Sequence, residues 1–372
     1  MSARTIPIFV SAGDPSGDIA GFHLIEGLKS KCDNVVFFGL GGERMRRAGQ
    51  QQLIEGNRLA VMGFWEVAKK AIFFRKLMNR AVLTIVREKP RVVVLIDYPG
   101  FNLRLARKIG SLKIPIVYYI SPQVWAWGAG RIHRIKELVD FMLLILPFEK
   151  DLYDRAGIKN EFVGHYLLDD IEESLIKKPY DRDSDLILLM PGSRPQEIER
   201  MLPVMLKSAM ILSQKGRWRF AVAGVQGNID YQRYLERAGV KADLIIGDTR
   251  KLIARSRLVI TSSGTATLET GIIGRPMIVI YKMGFLTHFL ARLLIRIDRI
   301  GLINITASKR VVPELIQSQA TPERISRAAL DLLNDKAAAV DMVRQLNEVV
   351  SNLGTEGASM RAATAIGEYI GC

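Results

Sequence analysis

The chain has 372 residues, 48% apolar and 24% charged, an ordinary globular balance with material for more than one core, since single cores stop growing near roughly 250–300 residues. Its net charge of +15 asks for an anionic partner, whether nucleic acid, anionic lipid or a phosphorylated substrate. Two cysteines, Cys32 and Cys372, offer neither a disulfide framework nor a metal cluster; with a polar start that lacks a signal sequence, they point to a reducing cytosol. No run reaches the ~18 apolar residues of a membrane-spanning helix, the nearest, 283–305, being broken by Arg292, Arg296, Asp298 and Arg299.

Short β-branched runs alternate with helical patterns along the chain. Strands are expected at 6–11, 34–38, 92–96, 114–120, 141–145 and around 162–163, then at 186–190, 219–223, 244–246, 258–261 and 277–280. Several are apolar at consecutive positions, as in parallel strands covered on both faces. This is the α/β pattern of two Rossmann-like domains. The polar stretch 169–185 separates a first domain, 1–175, from a second, 185–345. A C-terminal helix, 346–372, packs back on the first domain or on a partner chain. Ligands of such folds bind at the carboxyl ends of the strands, here in a cleft between two domains.

The first strand runs into 11-SAGDPSGDIAGFHLIEGL-28, a small-residue turn opening a helix. Its Asp14, Ser16 and Asp18 suit sugar hydroxyls or an acceptor, or else Ser16 and Asp18 simply cap the helix. Next comes 61-VMGFWEVAKKAIFFRKLMNR-80, where Phe64, Trp65, Phe73 and Phe74 mix with Lys69, Lys70, Arg75 and Lys76. That mixture fits an anionic membrane interface, or a core helix with a solvated basic face.

The strand 92–96 ends in Asp97, at the sheet edge where general bases are found, though Asp97 could also cap the turn that Pro99 continues. After 114–120 comes 121-SPQVWAWGAGRI-132, with Trp125 and Trp127 in loop-like surroundings beside Gln123 and Arg131. Asp181–Asp183 resembles a metal-binding DxD but precedes a strand, so it reads as linker.

In the second half, 186–190 runs into Pro191, Gly192, Ser193 and Arg194, and 258–261 into Ser262, Ser263, Gly264 and Thr265. Each is a strand, a small-residue turn and a helix N-terminus, where free amides and the helix dipole suit a phosphate. Arg194 adds a fork for phosphate oxygens and Glu269 an acceptor for ribose hydroxyls. Ordinary N-capping would look the same at either turn alone. GxxxxGK[ST] is absent, and Gly39-Leu40-Gly41-Gly42 lacks the spacing of the dinucleotide fingerprint. The four histidines have no ligand spacing, and no nucleic-acid module supports that reading of the charge.

Taken together, SAGDPSGD, FGLGGERM, VMGFWEV, LIDYPGFN, YYISPQVWAWGAGRI, LPFE, FVGH, LLMPGSRPQEI, TSSGTATLET and NITASKRVVPELIQ, in that order over nearly the whole chain, closely resemble the lipid-A-disaccharide synthases. These are family 19 glycosyltransferases of GT-B fold. The resemblance implies inverting transfer of 2,3-diacylglucosamine from UDP-diacylglucosamine to 2,3-diacylglucosamine 1-phosphate (lipid X), releasing UDP. It casts Asp97 as the base, with Asp14 and Asp18 as acceptor or sugar contacts. Arg194, Ser193, Ser263, Gly264, Thr265 and Glu269 would hold UDP, and Asn304 and Glu314 would line the cleft. No cofactor or metal is needed on that scheme, and the partners are the two lipid substrates and an anionic membrane surface rather than nucleic acid. A homodimer is compatible with it.

The implied location is the cytoplasmic face of the inner membrane of a Gram-negative-type bacterium. The chain departs from the family pattern at Asp14, usually Glu, at Tyr166, usually Pro, and across 282–289. The UDP turns alone would also suit another GT-B enzyme, a peptidoglycan glucosaminyltransferase or a UDP-GlcNAc 2-epimerase, or an inactive binding protein of the same fold.

Overall fold

A computed structural model describes residues 5–54, 67–127, 130–227, 229–283 and 299–372. The chain divides into two compact units, one of Met1–Asp170 with Leu353–Cys372 and one of Ile171–Asn352.

The first unit is built on seven parallel strands: β1 (Ile6–Ser11), β2 (Val35–Leu40), β3 (Gln51–Gln52), β4 (Val92–Ile96), β5 (Ile116–Tyr119), β6 (Phe141–Leu144) and β7 (Asn160–Phe162). Their order is β3-β2-β1-β4-β5-β6-β7, so the direction of winding reverses between β1 and β4. Crossover helices cover both faces, which is why VVVLI of β4 is buried at every position. At the reversal, the two chain segments leaving β1 and β4 diverge to opposite faces and open a crevice at the carboxyl edge.

The second unit repeats the plan with β8 (Leu186–Met190), β9 (Arg219–Gly224), β10 (Asp243–Ile246), β11 (Leu258–Ser262), β12 (Met277–Tyr281) and β13 (Glu314–Ile316). The order is β10-β9-β8-β11-β12-β13, all parallel, with the reversal between β8 and β11. Arg275, 1% exposed, donates to the carbonyl oxygens of Ala254, Ile273, Gly274, Lys178 and Pro179. It thereby fastens the incoming segment to this unit.

Three helices end the chain. Pro322–Asn334 and Lys336–Ser351 pack within the second unit, and Ala358–Ile370 lies in the first, against Pro15–Lys31. Those last two helices touch closely: a Cβ on Gly27 would lie 2.8 Å from that of Ala363. The two cysteines, taken from the sequence as having no disulfide role, are bonded to each other here. They stand 340 positions apart, and only the pairing of first and last helices brings them together.

Asp169 caps the last helix, its Oδ1 accepting from Gly357 N at 2.6 Å and Ala358 N at 3.2 Å and its Oδ2 from Ser359 N at 2.7 Å. A charged group holding three amides stabilises by about 2 kcal/mol. Asp169→Ala should therefore lower the stability of the first unit by that much in denaturant titrations, with the slope unchanged. A loss under about 0.5 kcal/mol, the scatter of ordinary surface changes, would show that the cap contributes little.

Candidate active site

The strand order of the first unit puts the turns after β1 and β4 side by side. After Ile96 the backbone enters the left-handed region twice, at Asp97 (φ 43) and Tyr98 (φ 50). Such residues cost on the order of 1–3 kcal/mol each and persist only where neighbours hold them. Asn102, 0% exposed, does the holding: its Nδ2 donates to the carbonyls of Asp97 at 2.8 Å, Ile96 at 3.1 Å and Ser11 at 3.3 Å. Ser11 Oγ donates to Asn102 Oδ1 at 2.7 Å, and Tyr118 Oη donates to the Asp97 carbonyl at 2.6 Å. The Tyr98 ring lies flat on Gly13, where a Cβ would sit 2.2 Å from it; only glycine lets these two turns meet.

Burial, and then the charge of Asp14, push the Asp97 carboxyl up to about 7, against a pull from the Tyr98 amide. Asp14 itself caps the first helix, accepting from Gly17 N at 2.7 Å. Asp18, expected as an acceptor or sugar contact, is engaged by backbone amides. Its carboxylate accepts from Gly42 N at 2.9 Å, Arg44 N at 3.1 Å and Met45 N at 3.0 Å, tying the first helix to the turn after β2. Three amides occupy it, so Asp18 is a strut. Ser16 is half-buried in the helix's first turn.

On the neighbouring strand, Ile120 is left-handed as well (φ 66), unusual for a β-branched residue. Ser121 follows, buried, and Gln123 is exposed. Trp125 donates from Nε1 to Glu149 Oε1 at 3.1 Å and sets its ring edge-on to Phe148, centroids 5.4 Å apart. Trp125 is thus braced by the protein; the side chains of Trp127 and Arg131 lie outside the described residues. Glu149, 1% exposed, also accepts from Ser121 Oγ at 2.8 Å. Burial pushes its carboxyl up to about 7; the Ser121 and Trp125 hydrogen bonds oppose this, and the Asp97 charge adds to it.

In the second unit the reversal between β8 and β11 brings together the two turns expected to hold phosphate. Gly192 (φ 115) and Gly264 (φ 144) adopt conformations that side chains rarely enter. No side chain caps the helix Thr265–Ile272, so its first turn presents amides and the positive end of the dipole. Ser193 and Arg194 are exposed, and Arg194 Nη1 pairs with Glu197 Oε1 at 3.1 Å. Arg250 pairs with Glu269 at 2.9 Å, a partner the sequence did not indicate.

Asn304 and Glu314, expected to line the cleft, are bonded to the scaffold and to each other. Asn304 bonds Glu314 Oε1 and the Val312 carbonyl and accepts from Val311 N and Val312 N; Glu314 accepts from Ile300 N and Gly301 N. The carbonyl of Ile300 in turn receives Ser263 Oγ at 2.7 Å, so this brace orients the phosphate turn indirectly.

The basic helix is Val67–Glu88. Phe73 and Phe74 are half-buried on the core of the first unit, which assigns these rings to packing rather than to the membrane contact expected of them. Arg75 and Lys76 are exposed, and the large apolar side chains the helix exposes are Ile72, Leu83 and Val86. Phe64 and Trp65, and the side chains of Lys69 and Lys70, lie outside the described residues. Among the described residues no helix is long and apolar enough to cross a membrane, and no group of three or more His, Cys, Asp or Glu could hold a metal ion.

A family model described as lipid-A-disaccharide synthetase matches residues 8–366. A lipid-A-disaccharide synthase of Syntrophus aciditrophicus is 40% identical over 367 residues, 96% of each chain. One from Myxococcus xanthus is 35% identical over 372 residues, 98% of this chain and 97% of that one. Among solved structures, UDP-GlcNAc 2-epimerase from Neisseria meningitidis bound to UDP-GlcNAc aligns with a TM-score of 0.67 at 13% identity, over 98% of this chain and 100% of that one. The calicheamicin glycosyltransferase CalG4 aligns with a TM-score of 0.58 at 15% identity, over 99% of both. These structures share the two-domain α/β fold.

The raised pKa of Asp97 has a stability consequence. The unfolded carboxyl loses its proton near 3.8 and the folded one near 7, so stability falls as pH rises through that interval and the full cost is present at pH 8. An asparagine side chain cannot ionise, and asparagine tolerates the left-handed backbone. Asp97→Asn should stabilise the protein by about 1–3 kcal/mol at pH 8, with the gain vanishing toward pH 4. Equal thermal transitions at pH 8 would rule out a buried charge there.

Proposed function

The chain belongs to the lipid-A-disaccharide synthase family, and on that premise we propose how its residues divide the reaction. The enzyme is an inverting glycosyltransferase of lipid A biosynthesis. It transfers 2,3-diacylglucosamine from its UDP derivative to the 6-hydroxyl of 2,3-diacylglucosamine 1-phosphate, giving a β-1′,6-linked disaccharide 1-phosphate and UDP. The observation that carries the mechanism is the Asp97 turn: a carboxyl at a strand end, backbone-locked, with its proton affinity near neutrality.

Asp97 accepts the proton of the acceptor hydroxyl as its oxygen bonds to the anomeric carbon. The bond from that carbon to UDP breaks on the opposite face, which inverts the configuration. A base with a pKa near the working pH is both ionised and basic enough for this step. Asp14 raises that basicity by its charge.

The leaving diphosphate gathers negative charge as the bond breaks. Amides of the turns at Gly192–Arg194 and Gly264–Thr265, the dipole of the helix Thr265–Ile272 and the Arg194 guanidinium are the groups suited to receive it. Glu269, steadied by Arg250, is suited to ribose hydroxyls. With protein groups in these roles the scheme calls for no metal. The acylated substrates and the +15 charge favour work at an anionic membrane surface on the cytoplasmic side. Arg75 and Lys76, with the exposed Ile72, Leu83 and Val86, are the described residues of the basic helix suited to meet it.

Asp97→Asn should cut turnover by about 10²-fold or more while UDP affinity, measured by calorimetry, stays unchanged. Near-normal turnover, or free sugar in place of disaccharide, would overturn the reading.

Because the base must be ionised, kcat/KM should fall tenfold per pH unit below about 7. Asp14→Asn, which keeps a capping oxygen but removes the repelling charge, should move that limb to lower pH. A limb that stays in place would exclude Asp14 as a source of the shift.

A further inference from the structure

Three successive strand ends of the first sheet carry unusual features. β4 ends in the left-handed Asp97, β5 in the left-handed Ile120, and β6 leads to the buried Glu149. Among the described residues Glu149 has no cationic hydrogen-bond partner. Its two side-chain donors, Ser121 and Trp125, come from the turn after β5, and both go to one oxygen, Oε1. The other oxygen, Oε2, has no hydrogen-bond partner among the described residues. A buried carboxyl without a cation is costly, and an apolar side chain would fill the same space at lower cost but could not hold the two donors.

We propose that Glu149 is a positioning residue for the transfer reaction, its Oε1 locking Ser121 and Trp125 so that the strained turn after β5 is fixed beside Asp97. The proposal rests on Asp97 being the base.

The path from Glu149 to Asp97 is short. Glu149 grips Ser121, whose neighbour Ile120 sits in a conformation costing on the order of 1–3 kcal/mol and so needs external hold. The amide of Ile120 donates to the Leu143 carbonyl at 3.1 Å, and two residues earlier on the same strand Tyr118 grips the Asp97 carbonyl. Loosening the turn therefore loosens one of the two side chains that donate to the Asp97 carbonyl. Phe148 adds a ring contact to Trp125, so the tail of the LPFE segment is committed to the SPQVWAW turn through both its residues.

The test compares Glu149→Gln, which keeps a carbonyl oxygen for both donors, with Glu149→Ala, which keeps none. Full-length variants are assayed with UDP-diacylglucosamine and lipid X, with UDP affinity and the thermal transition recorded for each. Glu149→Ala should lose about 10–100-fold in kcat, the scale of a misplaced catalytic group, while its UDP affinity stays within about twofold. Glu149→Gln should recover to within about threefold of wild type. Trp125→Phe, which removes the N–H and keeps an aromatic ring, should lose about 3–10-fold and add little to Glu149→Ala, as residues acting as one unit do.

Wild-type kcat in Glu149→Ala or in Trp125→Phe would overturn the proposal. So would a Glu149→Gln as inactive as Glu149→Ala, because the acid itself would then be needed. Should Glu149→Ala fail to fold, Trp125→Phe and Glu149→Gln decide the matter by the same criteria. Asp97→Asn assayed alongside separates the two ideas. If it is active, the base assignment has failed; if it is inactive while Glu149→Ala is active, only the positioning role has.

Discussion

One amide side chain sets the chemistry of the first unit. Asn102 donates to the carbonyls of Ser11, Ile96 and Asp97, and so joins the ends of β1 and β4 where the winding of the sheet reverses. Without that grip and the hydroxyl of Tyr118, two consecutive left-handed residues would have little reason to stay so. Asp97 is half-buried, and desolvation together with the charge of Asp14 raises its proton affinity. The reactivity of the group is a property of its backbone before it is a property of its side chain.

The second unit repeats the same topology around two small-residue turns. Its two turns meet at the reversal of winding, and its charged side chains are already paired: Arg194 with Glu197, Arg250 with Glu269. The Arg194 guanidinium is exposed and so costs little to exchange for a phosphate. The Arg250 pair is three-quarters or more out of solvent and better suited to orienting than to exchanging. Behind them the buried Asn304 and Glu314 hold the segment that receives Ser263.

Much of this was legible from sequence because parallel strands covered on both faces leave continuous apolar runs; β4, β8 and β11 were plain for that reason. β3 is two glutamines and β13 three residues opening with a glutamate, too short and too polar at the sheet edges to carry a pattern. Asp97 drew notice in the sequence because it directly follows a strand. Glu149 did not, since its partners lie 24 and 28 positions away and only the adjacency of β5 and β6 unites them. The partners of Asp18 and Glu314 were hidden for a related reason. A carboxylate near a helix start or a strand end looks available until the amides that occupy it, contributed by turns remote in sequence or by an irregular segment, are known. For Phe73 and Phe74 the sequence left membrane contact and core packing both open, and the sheet beneath them shows them half-buried against the core.

The path of the chain through the two units has a consequence for how the protein is made. The first unit contains both the opening strands and the helix Ala358–Ile370, with the whole of Ile171–Asn352 inserted between. As the ribosome releases the chain from its N-terminus, the helix Pro15–Lys31 exposes the face that Ala358–Ile370 will cover until some 340 residues later. Meanwhile the inserted unit has every residue it needs and can close on its own. The nascent protein thus holds a finished second unit, with its two phosphate turns, before the unit bearing Asp97 is complete, and the long-exposed apolar face of its first helix is where a chaperone would be needed most.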